Sequence, residues 1–539
     1  MRIALATFLV CWVGCGGDNS SNGTDGAAVL ADGPIPIDAP ALDSPLLPDA
    51  AVDRPMTIDA PRIDAPMVMP DASADPVLQS LKFQTSGPIT VAVGPTGAPI
   101  IAGGLINQSR FGDITLVAAA MMGNPVTAAD LFVVAFSAAG MSTWGNRFGD
   151  PTDQLGSAIA VNANGVILVA GVFSGDLQFT PTLTLTSPTE ISFLAAFNGS
   201  TGDVQWATAL DLGAGGFILG LAADPTDNGF VVAATATAAV NFRTFAGTAG
   251  GGKDLFVAKL SAAGDLGWAR QIGGTGDQIA RAVAVDPSGH PIVVGQFGGT
   301  LDFGTGALPA PPVASSKDIF VAKLDTTGAA MQAVAIGARG NHIAEAVAAD
   351  ATSVVIAGYL AGGTVRFNAA TPIMLSPQGQ DGFVAKLSTD LQTTAWARRI
   401  GEPASSGDPD GGTPPPPSPQ EATGVAIDSA GHVIVVGAFQ GTVDFAVATP
   451  TAILTDAFAL KLDPSGSPVW VRTTGGSQDE KATAVGVNRQ DDSVWVVGTF
   501  TAATTMPPIP NWGGSVATEL VFPMDDGTQG HTFQVRLLP

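Results

Sequence analysis

From about residue 77 onward, the apolar positions of the chain fall in runs of five to seven, rich in Val, Ile, Phe and Ala and bounded by Gly, Asp and Pro. Runs that short, with β-branched and aromatic side chains between turn residues, predict buried strands rather than helices. Past the first fifteen residues no stretch is long and apolar enough to span a bilayer. One run is a phrase that recurs. Asp254-Leu255-Phe256-Val257-Ala258-Lys259-Leu260 returns as Asp318-Ile319-Phe320-Val321-Ala322-Lys323-Leu324 and as Asp381-Gly382-Phe383-Val384-Ala385-Lys386-Leu387. Degenerate copies begin at Asp130, Glu190 and Asp456, and a last one, Phe533-Gln534-Val535-Arg536-Leu537, closes the chain. The copies lie roughly 60 to 75 residues apart, a period that marks a propeller or another repeat array.

Each period holds four apolar segments in fixed order. From Arg281 they are Arg281-Ala282-Val283-Ala284-Val285, then Pro291-Ile292-Val293-Val294-Gly295-Gln296-Phe297, then the phrase at Asp318, then Met331-Gln332-Ala333-Val334-Ala335-Ile336. Four short strands joined by Gly/Asp turns predict an antiparallel sheet of propeller-blade size. The first segment alternates small and branched residues, as at Val91-Ala92-Val93, Ile159-Ala160-Val161 and Val425-Ala426-Ile427, which suits a crowded innermost strand. The second carries Gly103, Gly171, Gly295, Gly358, Gly437 and Gly498, with Ala234 as the exception. The fourth carries Trp144, Trp206, Trp268, Trp396 and Trp470, positions that predict packing between blades rather than ligand contact. Seven such units are present. The seventh stops at its third segment, whereas the repeat region opens on Leu78-Gln79-Ser80-Leu81-Lys82-Phe83-Gln84, which aligns with a fourth. Residues 78–84 are therefore expected to form the outer strand of the last blade, closing the ring and removing two exposed sheet edges.

The composite Asp-x-Phe-Val-Ala-Lys-Leu-x-x-x-Gly…Trp-Ala-Arg-x-Ile-Gly-Gly…Ala-Val-Ala-Val-Asp-x-x-Gly-His resembles the bacterial seven-bladed β-propeller repeat family known as SBBP, over about residues 77–539 and most closely from Asp254 to Leu387. The resemblance implies an exported or surface all-β propeller of four-stranded antiparallel blades, and it implies no catalytic activity.

Composition narrows the partners. The formal net charge is −24, from 23 Lys+Arg against 47 Asp+Glu, and only 13% of residues are charged. So acidic a chain lacks the clustered cations that release counterions from nucleic acid, and simple adsorption to anionic lipid is equally disfavoured. The excess charge reads as solvation.

The first residues describe an export signal: Met1-Arg2, the apolar run from Ile3 to Val13, then Gly14-Cys15-Gly16-Gly17. Cys15 resembles the cysteine of a bacterial lipobox, which is diacylated before cleavage on its N-terminal side, with Trp12 standing where Leu is usual. Cys11, the only other cysteine, follows bulky Val10 and fits less well. With Cys15 lipidated and Cys11 removed, an exported chain would be held together by burial and sheet pairing alone. From Asp18 to about Pro76 the sequence Ile-Asp-Ala-Pro recurs at residues 37–40, 58–61 and 63–66, and no aromatic residue occurs. Proline at that density favours extended polyproline II, and the aspartates repel one another, so a disordered tether is expected. The expected organisation is a signal at 1–14, lipidated cysteine and linker at 15–76, and the propeller at 77–539.

Candidate chemistry is sparse. Of four histidines, His290 and His432 occupy equivalent hairpin turns, His342 precedes an inner strand and His531 precedes the last one. None has transition-metal spacing, and no nucleophile elbow or phosphate loop is evident. Asp153, Asp277 and Asp479, with Asn341, fall in loops before inner strands and would share one rim. There they could hold Ca²⁺ through hard oxygen ligands, or accept N–H bonds within their own turns. The Asp opening each recurring phrase reads as a turn or interblade clasp. Lys259, Lys323, Lys386 and Lys461 read as partners of acids on a neighbouring blade. Phe197-Asn198-Gly199-Ser200-Thr201-Gly202-Asp203-Val204-Gln205-Trp206 superficially resembles a phrase of quinone-dependent propeller dehydrogenases, without their adjacent cysteines or Asp base. Gly299-Thr300-Leu301-Asp302-Phe303 recurs as Gly441-Thr442-Val443-Asp444-Phe445, which marks it as structural, an added short strand.

The expected function is a non-enzymatic, monomeric cell-envelope lipoprotein with no catalytic, cofactor or metal residues. It is anchored through Cys15 and presents its propeller to a protein or glycan ligand. The alternative is a carbohydrate-active or other hydrolytic propeller with a carboxylate site in the central funnel.

Overall fold

A computed structural model describes residues 77–84, 86–119, 128–403, 418–474, 479–501 and 530–537, all within the compact unit Asp75–Pro539. The expected signal, Cys15 and the tether lie outside the described residues. The fold is a seven-bladed β-propeller. Blade 1 is Ser86–Val93, Pro99–Leu105, Asp130–Phe136 and Ser142–Phe148, and blade 2 is Gln154–Val161, Val166–Thr180, Leu183–Asn198 and Val204–Leu210. Blade 3 is Phe217–Ala223, Phe230–Ala236, Asp254–Leu260 and Leu266–Ile272, and blade 4 is Gln278–Val285, Pro291–Phe297, Asp318–Leu324 and Ala330–Ile336. Blade 5 is Gly340–Ala349, Ser353–Gly362, Gln380–Ser388 and Thr394–Ile400, and blade 6 is Gln420–Ile427, Val433–Thr442, Thr451–Leu462 and Pro468–Thr473. Strands run antiparallel from inner to outer in chain order.

Blade 7 is built from both ends of the chain. Glu480–Asn488, Ser493–Thr501 and Gly530–Leu537 supply its first three strands, and Val77–Gln84 supplies the fourth. The pairing runs antiparallel from Val77 opposite Leu537 to Gln84 opposite His531. The expected closure is present.

The core is divided among the joints between blades. The buried apolar residues form seven clusters, each joining two successive blades. Along the phrase in blade 3, Phe256, Ala258 and Leu260 pack with blade 2, while Leu255 and Val257 pack with blade 4. Each sheet is thus covered on both faces, which is why its middle strands read as continuous apolar runs. The phrase Asp254–Leu260 is buried at every position.

The second-strand glycines answer to a bulge. In blade 4 the pairing of inner and second strands shifts between Ala280 and Ala282, leaving Arg281 as the extra residue opposite Gly295. A Cβ on Gly295 would stand 1.9 Å from the Ile279 carbonyl oxygen and 3.0 Å from the Phe320 ring. Gly171, Gly437 and Gly498 meet the same two obstacles in their blades. Bulges of this kind turn the extra side chain out of the ladder.

The connection between second and third strands carries an additional hairpin or extension in several blades. Its phenylalanine packs on the phenylalanine of the recurring phrase: Phe303 on Phe320 at 5.6 Å, Phe367 on Phe383 at 5.9 Å, Phe445 on Phe458 at 5.2 Å between ring centroids. The Gly-Thr-Leu-Asp-Phe phrase is structural, as expected. No helix among the described residues is long and apolar enough to cross a membrane.

Candidate functional site

Most polar residues that recur from blade to blade are occupied in holding the ring. Asp130 accepts the Ala119 N–H and Arg147 Nη1, both at 2.6 Å. Asp381 accepts the Gln378 N–H at 2.8 Å and Arg399 Nη1 at 2.6 Å, and Asp254 accepts the Gly250 N–H at 2.7 Å and Gln271 Nε2 at 2.9 Å. These aspartates clasp their own blades.

Three residues before the bulge in blades 2, 4, 5, 6 and 7 stands a second buried polar residue, in the series Gln154, Gln278, His342, Gln420 and Glu480. The glutamine amides donate to a carbonyl of the second strand or just past it: Ser174 at 3.2 Å, Gly298 at 3.3 Å and Gln440 at 3.1 Å. His342 and Glu480 interrupt the series. Burial lowers His342 to about 4. Burial, and then the adjacent Asp456 carboxyl, raise Glu480 to about 8.

The rim acids bind across the joint rather than within their own turns. Asp153 accepts the Ala129 N–H at 2.9 Å, Asp277 the Lys253 N–H at 3.2 Å and Asp479 the Thr455 N–H at 3.1 Å. Ala129 and Lys253 lie just ahead of the preceding blade's third strand, and Thr455 lies at the register break within it. There the first N–H groups find no ladder partner, and the loop entering the next inner strand supplies one. At Asn341 the backbone takes this role beside Lys317. Among the described residues no group of three or more His, Cys, Asp or Glu is placed to hold a metal ion.

The recurring lysines also differ from expectation, because their partners lie in the same blade. Lys259 pairs with Asp224 and Asp227, Lys323 with Asp286 at 2.9 Å and Lys461 with Asp428 at 3.0 Å. The third-strand lysine crosses the second strand to reach the turn that follows the first, so a single sheet supplies both charges. His290 and His432 share those turns, their Nδ1 atoms 3.1 and 2.9 Å from Asp286 and Asp428. Lys386 departs from the pattern: it is half-buried, and Asp350 of its blade accepts from Thr352 and Ser353.

The outer-strand tryptophans join blades. Trp144, Trp206, Trp268 and Trp396 donate Nε1–H to the carbonyls of Gly199, Ala262, Thr326 and Pro464 in the next blade's outer turn, at 2.8 to 3.1 Å. The segment from Phe197 to Trp206 is therefore such a turn followed by such a tryptophan.

What remains are residues that break the repeat, and they collect on successive inner strands. The bulge residue is Ser157, Leu219, Thr423 or Thr483 in blades 2, 3, 6 and 7, but Arg281 in blade 4 and Glu345 in blade 5. Where it is a hydroxyl, it stitches one inner strand to the next: Ser157 donates to the Ile218 carbonyl and Thr423 to the Ala482 carbonyl, both at 2.6 Å, and Thr483 to Ile89 at 2.8 Å. Arg281 and Glu345 replace that stitch with an ion pair at 3.5 Å. Two residues before the bulge, blades 6 and 7 carry Glu421 and Lys481, which pair with each other. Tyr359, the only tyrosine in the chain, lies close enough to Glu345 and Glu421 that burial and their charges push its hydroxyl up to about 12. Burial raises Glu345 above the usual carboxylate range, against the pull of Arg281. Buried Gln296 precedes Tyr359 by one blade. Inner strands face the axis of a propeller. Arg281, Glu345, Glu421 and Lys481 thus form a mixed-charge arc over blades 4 to 7, with Tyr359 beside it on the second strand of blade 5. Motif reading passes over this arc, because its signal is departure from a repeat rather than a spacing.

No family model and no curated protein matches the chain. Solved structures with a similar fold include BamB from Moraxella catarrhalis, at 11% identity over 85% of this chain and 98% of that one with TM-score 0.31. The quinohemoprotein alcohol dehydrogenase from Comamonas testosteroni matches at 11% identity over 85% of this chain and 76% of that one, with TM-score 0.39. The Neurospora crassa Pan2 WD40 domain matches at 9% identity over 88% and 92%, with TM-score 0.36. The seven-bladed assignment rests on the sheet order itself.

Proposed function

We propose that this chain is a cell-envelope lipoprotein, anchored through Cys15 and lifted from the membrane by its Pro/Asp-rich segment, whose propeller is a binding scaffold of the SBBP-repeat kind. The observation that carries the reading is the division of polar residues. Those shared by the blades serve ring closure, whereas those that differ gather in the axial arc of Arg281, Glu345, Glu421 and Lys481, with Tyr359 beside it. A rigid ring with one variable polar arc is suited to holding a protein or glycan partner at its mouth. Capture from the native envelope by wild type and by an Arg281→Ala, Lys481→Ala variant tests this. A partner retained equally by both would refute a role for the arc. Anchoring is tested by palmitate labelling of wild type against Cys15→Ser, and equal labelling would refute it.

The paired carboxyl groups support a second reading, hydrolysis in the funnel. Glu345, raised by burial with Glu421 beside it, has the makings of an acid with a charged companion. Turnover of aryl glycosides that Glu345→Gln abolishes would establish it. A wild-type protein inert toward them would leave the scaffold reading.

A further inference from the structure

Of the residues that break the repeat, four also lack hydrogen bonds. The position after the second-strand glycine (after Ala234 in blade 3) is Gly104, Val172, Thr235, Ala438 or Thr499 in five blades, but Gln296 in blade 4 and Tyr359 in blade 5. Thr235 shows where that position looks: its hydroxyl accepts the Ala280 N–H of the next inner strand at 3.1 Å, beside the bulge. Gln296 and Tyr359 therefore look toward the inner strands of blades 5 and 6, and Tyr359 lies within reach of the charges of Glu345, Arg281 and Glu421. Gln296 is only 8% exposed, yet its Oε1 finds no hydrogen-bond partner, and neither does the buried Nε–H of Arg281. Glu345 meets Arg281 at 3.5 Å as an ion pair. Neither its carboxyl group nor the Tyr359 hydroxyl carries a hydrogen bond among the described residues. Glu421 and Lys481, by contrast, satisfy each other. Polar groups left without partners away from bulk water are costly, and four on neighbouring strands mark a place where a ligand supplies what the fold does not.

The chemistry of the set selects the ligand. Arg281 donates, Gln296 Oε1 and the Glu345 carboxyl oxygens accept, and the Tyr359 hydroxyl does either. Two cations against two carboxyl groups leave the arc with no net sign to favour a charged ligand. A run of hydroxyls answers donors and acceptors alike from single, closely spaced atoms, because each hydroxyl donates once and accepts twice. Guanidinium, amide and carboxyl groups are planar forks that match a pair of neighbouring hydroxyls, and Tyr359 adds a ring face for the apolar side of a sugar. The side chains of Arg281 and Glu345 remain 20% and 21% exposed, so they are open to a ligand from the axis. We infer that Arg281, Gln296, Glu345 and Tyr359 form a saccharide-binding site, which takes an uncharged sugar unit of an oligosaccharide. The inference rests on the scaffold reading of the arc and names its ligand.

The test is saturation-transfer NMR on the full chain with maltopentaose, cellopentaose, mannopentaose and N-acetylchitopentaose, beside acetyl-Gly-Ser-Gly-amide, a peptide that also offers donors and acceptors. Saturable binding of at least one saccharide, at least tenfold tighter than the peptide, is expected. Gln296→Ala, which adopts the residue of blade 6 at Ala438, should weaken it at least fivefold. Arg281→Thr with Glu345→Thr, which adopts the hydroxyls of Thr423 and Thr483, should abolish it while melting close to wild type. No saturable saccharide binding, binding no tighter than the peptide, or binding unchanged in both variants would overturn the inference. Arc-dependent capture of a polypeptide that survives deglycosylation, with no saccharide bound, would overturn the inference alone and leave the scaffold reading standing. Capture that does not depend on the arc would count against that reading, whatever the saccharides do.

Discussion

The carboxyl groups of Asp456 and Glu480 meet across the joint between blades 6 and 7, hydrogen-bonded to one another, with only 4% and 5% of each residue exposed. Two such groups cannot both ionise in a low-dielectric site, so they hold a proton between them. Asp479 adds a further negative charge nearby.

This joint should weaken as pH rises. Burial raises Glu480 from 4.5 to about 8, and burial raises Asp456 from 3.8 to about 6. Between those limits the folded state binds more protons than the unfolded state. The stabilisation is therefore complete below pH 4 and is lost as pH climbs through 6 to 8. Blades 2, 4 and 6 carry Gln154, Gln278 and Gln420 at the equivalent position, so Glu480→Gln imports the repeat's own neutral residue. The variant should melt a few degrees above wild type at pH 8.5, with the gap closing toward pH 5. A melting point below wild type at pH 8.5 would contradict the shared proton.

His342 should show the opposite sign. Burial lowers it from 6.5 to about 4, so the unfolded state binds more protons between those values, and stability falls as pH drops through that window. Asp318, in the third strand of the preceding blade, is raised to about 6 by burial and opposes part of the slope. Replacing His342 with Gln removes the histidine contribution. The variant's advantage should grow from nothing at pH 7 to on the order of 2 kcal/mol near pH 4. Urea unfolding at both pH values checks it, and a constant difference would show that His342 titrates alike in the folded and unfolded states.

Of these residues, Asp456 was legible in the sequence as the start of a degenerate phrase, His342 was expected ahead of an inner strand but lies within Gly340–Ala349, and the role of neither could be read. The period, the blade count and the closing strand could be read from the phrase at Asp254 and its unpaired copy at Phe533, because the third strand that carries the phrase is buried on both faces and cannot vary freely. The partners of Asp153 and Lys259 could not be read. Asp153 reaches across the joint to Ala129, 24 residues upstream, and Lys259 reaches back across its own sheet to Asp224. Such distances depend on sheet geometry rather than on chain order. The arc of Arg281, Glu345, Glu421 and Lys481 escaped notice because each member is ordinary alone and exceptional only against its six counterparts.

The closing strand gives a third prediction. Val77–Gln84 pairs along its length with Gly530–Leu537, and without it the last blade exposes an edge. Removing residues 77–84 from a chain that keeps everything else should lower the melting temperature and promote self-association through that edge. Light scattering with thermal melting reads both effects. An unchanged melting point would mean that the ring closes by other contacts.

The glycine of the second strand gives the fourth. At Gly437 a Cβ would stand 2.0 Å from the Glu421 carbonyl oxygen and 2.8 Å from the Phe458 ring, so neither backbone nor aromatic neighbour can accept it without movement. The Glu421 carbonyl is fixed because the inner strand bulges between Ala422 and Gly424, and Phe458 is fixed by Phe439 and Phe445 at centroid distances of 6.4 and 5.2 Å. Overpacking of this kind costs about 1–3 kcal/mol in cores that can partly yield. Gly437→Ala should reach at least the upper end of that range in urea unfolding. Gly165→Ala provides the control: nothing lies within 4 Å of its Cβ, though its φ of 77° adds backbone strain. A Gly437→Ala protein no less stable than the Gly165→Ala protein would show that the bulge, rather than the glycine, sets the close approach of the inner and second strands.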